Sequence, residues 1–166
     1  RALFMLERGE PSTIALEEAL EALHFNNTEE NQRIARQVRN HIVGEVTGIL
    51  NAESWKRSML DEALMLITSA TSIDPDPVLQ NVLQDVKTEI AFYRTILREI
   101  DAVSGEAVFK VYHPASSEFR LNSLDFLQDR FLVKEIDVGH QVVYLIDEKR
   151  GGRQLVSRVL KMMDTM

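Results

Sequence analysis

The sequence predicts a mainly helical α+β protein. An antiparallel helical bundle is expected over residues 1–105, followed by a small strand–helix–hairpin–helix unit over 106–166 that packs on it. Three observations lead there. Apolar residues recur at steps of three and four through most of the first hundred positions. Leu79, Leu83, Val86, Ile90, Tyr93, Leu97 and Ile100 carry that rhythm into an a/d heptad seam of about three heptads. After Gly105 the pattern changes to short β-branched and aromatic runs such as Ala107-Val108-Phe109-Lys110-Val111-Tyr112.

Each element has its own signals. Residues 2–8 read as the end of a helix stopped by Gly9 and Pro11. Ser12 or Thr13 is expected to cap the next helix, whose stripe is Leu16, Leu20 and Leu23 and which Phe25-Asn26-Asn27 breaks. Thr28 caps a third helix, with Glu29 and Glu30 against its positive N-terminal end. Ile34, Val38, Ile42, Val46 and Ile49 mark its buried face. Asn51 is expected to cap a fourth helix over 53–70, where Trp55, Met59, Leu60, Ala63, Leu64, Leu66 and Ile67 cover more than half the circumference. Asp74-Pro75-Asp76-Pro77 then ends one helix and starts another, with Asp76 as cap and Pro77 as first helical residue. The heptad helix is expected to run over 77–104. Val82, Ile96 and Val103 widen its stripe, which favours burial among several helices over an isolated coiled coil.

Beyond Gly105 a strand is expected at 107–112, a loop at 113–117 and a helix at 119–131 on Leu121, Leu124, Leu127 and Phe131. Two strands come next, at 132–138 and 141–147, joined by a Gly139-His140 turn. Lys149-Arg150-Gly151-Gly152 makes another turn, and a closing helix is expected over 154–163 on Leu155, Val159, Leu160 and Met163.

Composition narrows the function. The 166 residues hold no cysteine, which removes disulfides, zinc fingers and thiol nucleophiles and fits a reducing, cytoplasmic setting. No apolar run approaches the roughly 18 residues of a membrane span. The opening Arg1 to Leu6 lacks a signal peptide's long apolar region, and an Arg in first place is expected of a piece of a longer chain. Residues 1–106 hold 10 Lys+Arg against 18 Asp+Glu, and residues 107–166 hold 9 against 8. An acidic helical part argues against binding phosphate backbones, so nucleic acid is not an expected partner.

Few residues converge on a chemistry. The four histidines, His24, His41, His113 and His140, are scattered, and no metal or cofactor is expected. Asp74 and Asp76 are explained as helix caps. His41, on a helix followed by another helix, resembles the exposed histidine of histidine phosphotransfer proteins, which would imply a phosphoryl-carrying role. Two basic sets are the candidate partner or anion contacts. One is Arg33, Arg36 and Arg39, largely off the apolar stripe of their helix. The other is Lys149, Arg150 and Arg153, around two glycines whose amides can converge just before an expected helix N-terminus.

The expected helix at 119–131 and the two-stranded wing around Gly139-His140 resemble a winged helix over about a third of the chain. That resemblance implies either a nucleic-acid-associated regulator or a protein-assembly subunit. Glu118, Asp125 and Asp129 beside Arg120 and Arg130 favour protein contact, because acidic groups repel phosphates. The leading expectation is a non-enzymatic adaptor or assembly subunit that binds other proteins, self-association included.

Overall fold

The computed structural model describes residues 1–52 and 56–159. Five helices come first: α1 (Ala2–Glu7), α2 (Ser12–Phe25), α3 (Glu29–Leu50), α4 (Ser58–Ile73) and α5 (Pro77–Tyr93). Seven strands succeed them: β1 (Ile96–Ile100), β2 (Ala107–Val111), β3 (Ser117–Leu121), β4 (Phe126–Leu127), β5 (Phe131–Asp137), β6 (Val142–Asp147) and β7 (Arg153–Arg158), with a 3₁₀ turn at Glu148–Arg150. The chain divides into two compact units, residues 1–90 and 91–166.

In the first unit α1 packs on α2 and α3, α2 on α3 and α4, and α3 on α4. Leu16, Val38, Ile42, Val46 and Ile67 are fully buried there, and Ala15, Ala19, Ala35, Ala63 and Ala70 let the helix backbones approach closely. Thr28 caps α3 as its sequence requires, its Oγ1 accepting from the Asn31 N–H at 3.2 Å. Asn31 reaches back with its side-chain amide to the carbonyls of Ala22 (3.0 Å) and Asn26 (2.7 Å), which fastens the end of α2 to the start of α3. Two other expected caps fall elsewhere. Pro11, not Ser12 or Thr13, precedes α2, and Ser12 is buried. Asn51 closes α3, its N–H donating to the Thr47 carbonyl at 3.0 Å, while α4 begins only at Ser58. Residues 53–55, where the fourth helix and its Trp55 are expected to begin, lie outside the described residues.

The heptad helix is shorter than its spacing predicts. It ends at Tyr93, where Thr95 donates its hydroxyl to the Phe92 carbonyl (2.8 Å). The last two expected seam positions, Leu97 and Ile100, sit in strand β1. Residues three apart on a regular strand face opposite sides. A bulge between Leu97 and Glu99 absorbs one residue, so Leu97 pairs with Phe109 and Ile100 with Ala107, both toward the core. The bulged strand thus imitates a helical step of three.

The second unit overturns the winged-helix expectation: it is two antiparallel sheets, β1-β2-β3 and β4-β5-β6-β7, and no helix lies at 119–131. β3 runs beside β4 and β1 beside β7, so the sheets enclose one core of Leu97, Phe109, Val111, Leu127, Phe131, Val133, Val143 and Leu145. The segment expected as a helix is β3, two turns, β4 and the start of β5. Asp125 folds the first turn, accepting from the Asn122 N–H at 2.7 Å. Leu124 takes φ 74° there and is 73% exposed, so one of the four supposed helix-stripe residues is in solvent. Gln128 (φ 54°) and Asp129 (φ 52°) form the second turn, closed by the Arg130 N–H on the Leu127 carbonyl at 3.2 Å. Two successive positive φ values are the geometry of a tight hairpin turn, and a helix cannot contain them.

The hairpin of β5 and β6 falls where the sequence places it. Asp137 holds its turn, accepting from the His140 N–H (2.9 Å) and pairing with the His140 ring (2.7 Å). These contacts keep the Asp137 carboxyl below its usual range. The expected closing helix is instead β7, paired with β6 along its whole length. Leu155 and Val159 pack against the core at a spacing of four, which suits a helix and a strand equally. Residues 160–163 of that expected helix lie outside the described residues.

Candidate functional site

Arg39 is on α3, and its side chain is only 16% exposed. Its Nε donates to Asp74 Oδ2 at 2.6 Å, and its NH1 lies 3.4 Å from Asp76 Oδ2. Asp74 is therefore more than a helix terminus: it accepts the arginine that anchors the α4–α5 corner. Asp76 Oδ1 meanwhile accepts from the Val78 N–H at 2.9 Å, the cap expected from the sequence. Arg33 forms a two-point pair with Glu30 on its own helix (2.6 and 3.0 Å), and Arg36 is exposed. The three arginines of the expected contact face thus split between a corner anchor, a local ion pair and a solvent position.

The second basic set lies on the 3₁₀ turn (Lys149, Arg150) and at the start of β7 (Arg153), flanking Gly151 and Gly152, both at positive φ. The turn leads into strand β7 and not into the expected helix N-terminus. Arg153 is half-buried, its NH1 donating to the Tyr93 hydroxyl at 3.4 Å. That hydroxyl belongs to a polar cluster within the second unit. Arg130 (5% exposed) donates from Nε to Asp147 Oδ1 (2.9 Å) and from NH2 to Oδ2 (2.8 Å), and Asp147 is fully buried. The Tyr93 O–H donates to the same carboxylate. The guanidinium carbon of Arg130 also lies 4.9, 5.0 and 5.4 Å from the ring centres of Phe92, Phe131 and Tyr93.

Burial, together with the hydrogen bond and negative charge of Asp147, pushes the Tyr93 hydroxyl up to about 12. A phenol whose folded value lies above its ordinary 10 contributes stability that is fully present below pH 10 and is lost as pH rises toward 12. Tyr93→Phe is expected to flatten the fall in thermal midpoint between about pH 10 and 11.5. A wild-type alkaline limb that persists unchanged in the variant would place its origin elsewhere.

His41 is exposed on α3, its Nε2 3.9 Å from Glu45 Oε1. It borders a shallow depression with Leu3, Leu6, Glu7 and Gln37, so Glu7 and Glu45 both stand near this histidine. No group of three or more His, Cys, Asp or Glu side chains placed to hold a metal occurs among the described residues.

A different surface stands out. α2 and the end of α4 border an open groove of about 800 Å³, lined by Glu17, Leu20, Glu21, His24, Phe25 and Ile73. Leu20 and Ile73 are half-buried, Glu17 and Glu21 border the groove with them, and Phe25 is 94% exposed. Glu17, Glu21 and Phe25 recur at steps of four along α2, so they form one stripe beside the buried Ser12, Ala15, Leu16 and Ala19. Sequence reasoning reads Phe25 as part of a helix break and passes over this stripe. The signal was its phase: Phe25 is aligned with two glutamates and not with Leu16. The unit that carries the groove, residues 1–90, holds 8 Lys+Arg and 15 Asp+Glu, while residues 91–166 hold 11 of each. All of the formal net charge of −7 therefore belongs to the helical unit. No helix among the described residues is long and apolar enough to cross a membrane. No protein-family model matches this chain, and comparison with curated proteins and with solved structures finds no significant match.

Proposed function

We propose that this chain is a non-enzymatic protein-binding module, an adaptor or assembly subunit of the cytoplasm, and that the α2–α4 groove is its contact surface. The observation that carries this reading is Phe25. A phenylalanine side chain left 94% in water forgoes on the order of 2 kcal/mol of burial, and it does so beside a groove that Leu20 and Ile73 also line. Large aromatic residues at the edge of such a groove are the type that carries binding energy in protein interfaces. The absence of cysteine supports the cytoplasmic setting.

The test is co-purification of the tagged chain from its native source as wild type and as Phe25→Ser. Partners should be retained by the wild type and lost by the variant, while the variant's thermal midpoint stays nearly unchanged because the residue packs against little. Identical partners with both chains would remove the groove from consideration, and no specific partner with either would remove the adaptor reading.

A further inference from the structure

We infer that the α2–α4 groove receives a short cationic amphipathic helix from a partner protein. The inference rests on the protein-binding reading of this groove and names the chemistry of the partner. Glu17 to Phe25 spans about 12 Å of helix axis, which matches two turns of a docked helix. Half-buried Leu20 and Ile73 offer a small apolar floor, and exposed Phe25 stands at its rim. Glu17 and Glu21, one turn apart, stand at the edge where a second helix would present Lys or Arg at matching spacing. The acidic surplus of the whole unit draws a cationic segment in at longer range.

The alternatives fit less well. Every element of residues 1–90 among the described residues is a helix, so this unit offers no open sheet edge to which an extended peptide could add as a strand. A second copy docking groove to groove would bring Glu17 and Glu21 against their own equivalents, and like charges oppose that. Nucleic acid would meet the same repulsion.

The experiment titrates the 166-residue chain into fluorescently labelled model helices of about 14 residues and reads anisotropy. One peptide carries leucines on one face and lysines beside them; the second replaces each lysine by glutamate; the third scrambles the first. Wild type should prefer the lysine peptide over the other two by at least about tenfold at roughly 50 mM salt, with the preference shrinking at about 300 mM. Glu17→Lys with Glu21→Lys should abolish it and turn it toward the glutamate peptide. Asp61→Lys with Glu62→Lys makes the same change in net charge at the other end of α4 and should leave it intact. Phe25→Ser should weaken binding of the lysine peptide at least about fivefold. Equal losses from the two charge-reversed pairs would reduce the attraction to overall charge and overturn the proposal. Equal binding of lysine and glutamate peptides, still sensitive to Phe25→Ser, would overturn the cationic partner and leave the protein-binding reading standing. Binding of no peptide by any variant would overturn the helical partner, and the protein-binding reading would then stand or fall on the co-purification.

Discussion

Arg130→Ala is expected to destabilise the β-rich unit by about 3–5 kcal/mol, most of the stability a domain of that size possesses. The reason lies in what stays behind. Asp147 is fully buried, and removing the guanidinium takes the two-point partner from a carboxylate that has no access to water. The rings of Phe92, Tyr93 and Phe131 lose the cation they surround as well. Hydrogen exchange of the β5 and β6 amides reads the effect in the unit itself, where protection should fall by about two to four orders of magnitude. Arg130→Met combined with Asp147→Asn should recover more than half of the loss, because the buried charge is gone and an acceptor for Tyr93 remains. Unchanged protection in Arg130→Ala would mean that the pair contributes nothing net. A double variant no better than the single one would shift the cost to lost packing.

Arg39→Ala is expected to cost the helical unit about 2–3 kcal/mol. Asp74 is nearly buried and would lose this arginine, and Asp76 would lose the second arm of the same side chain. Arg39→Lys should fall between wild type and alanine, since an ammonium cannot present a planar fork to two carboxylates. Thermal melting and exchange at the end of α4 and the start of α5 measure this. Equal midpoints for the lysine and alanine variants would argue against the two-carboxylate geometry.

The legible part of the fold was what one element dictates by itself. Thr28 caps α3 through a side chain three residues from its target, and Asp76 does the same for a closer amide at the start of α5. The Asp137–His140 turn follows from local chemistry too. Two of the misread segments share a cause. Leu97 and Ile100 stand three residues apart, and Leu155 and Val159 four. A spacing of four is common to both periods, and a bulge makes three acceptable to a strand. Only the neighbour decides: β2 draws residues 96–100 into a ladder, and β6 does so for 153–158.

The candidate surface was even less visible. Both basic sets are conspicuous in the sequence, yet Arg39 is committed to a corner between α3, α4 and α5, and Arg153 is half-buried beside Tyr93. Nothing local marks Asp74, Asp147 or Arg130 for burial. Their partners lie 35 residues away for Asp74 and 17 for the Arg130–Asp147 pair.

By itself the sequence determined the helices in the first half, the corner at Pro75 and Pro77, the β5–β6 hairpin, the missing cysteine chemistry and the acidic bias. All depend on composition or on residues within a turn of one another. Tertiary structure decided the extent of α5, the two sheets in place of a helix, which charges are buried, and the exposure of Phe25. These depend on partners distant in the chain, whose hydrogen bonds and buried area outweigh local preferences worth a fraction of a kcal/mol per residue.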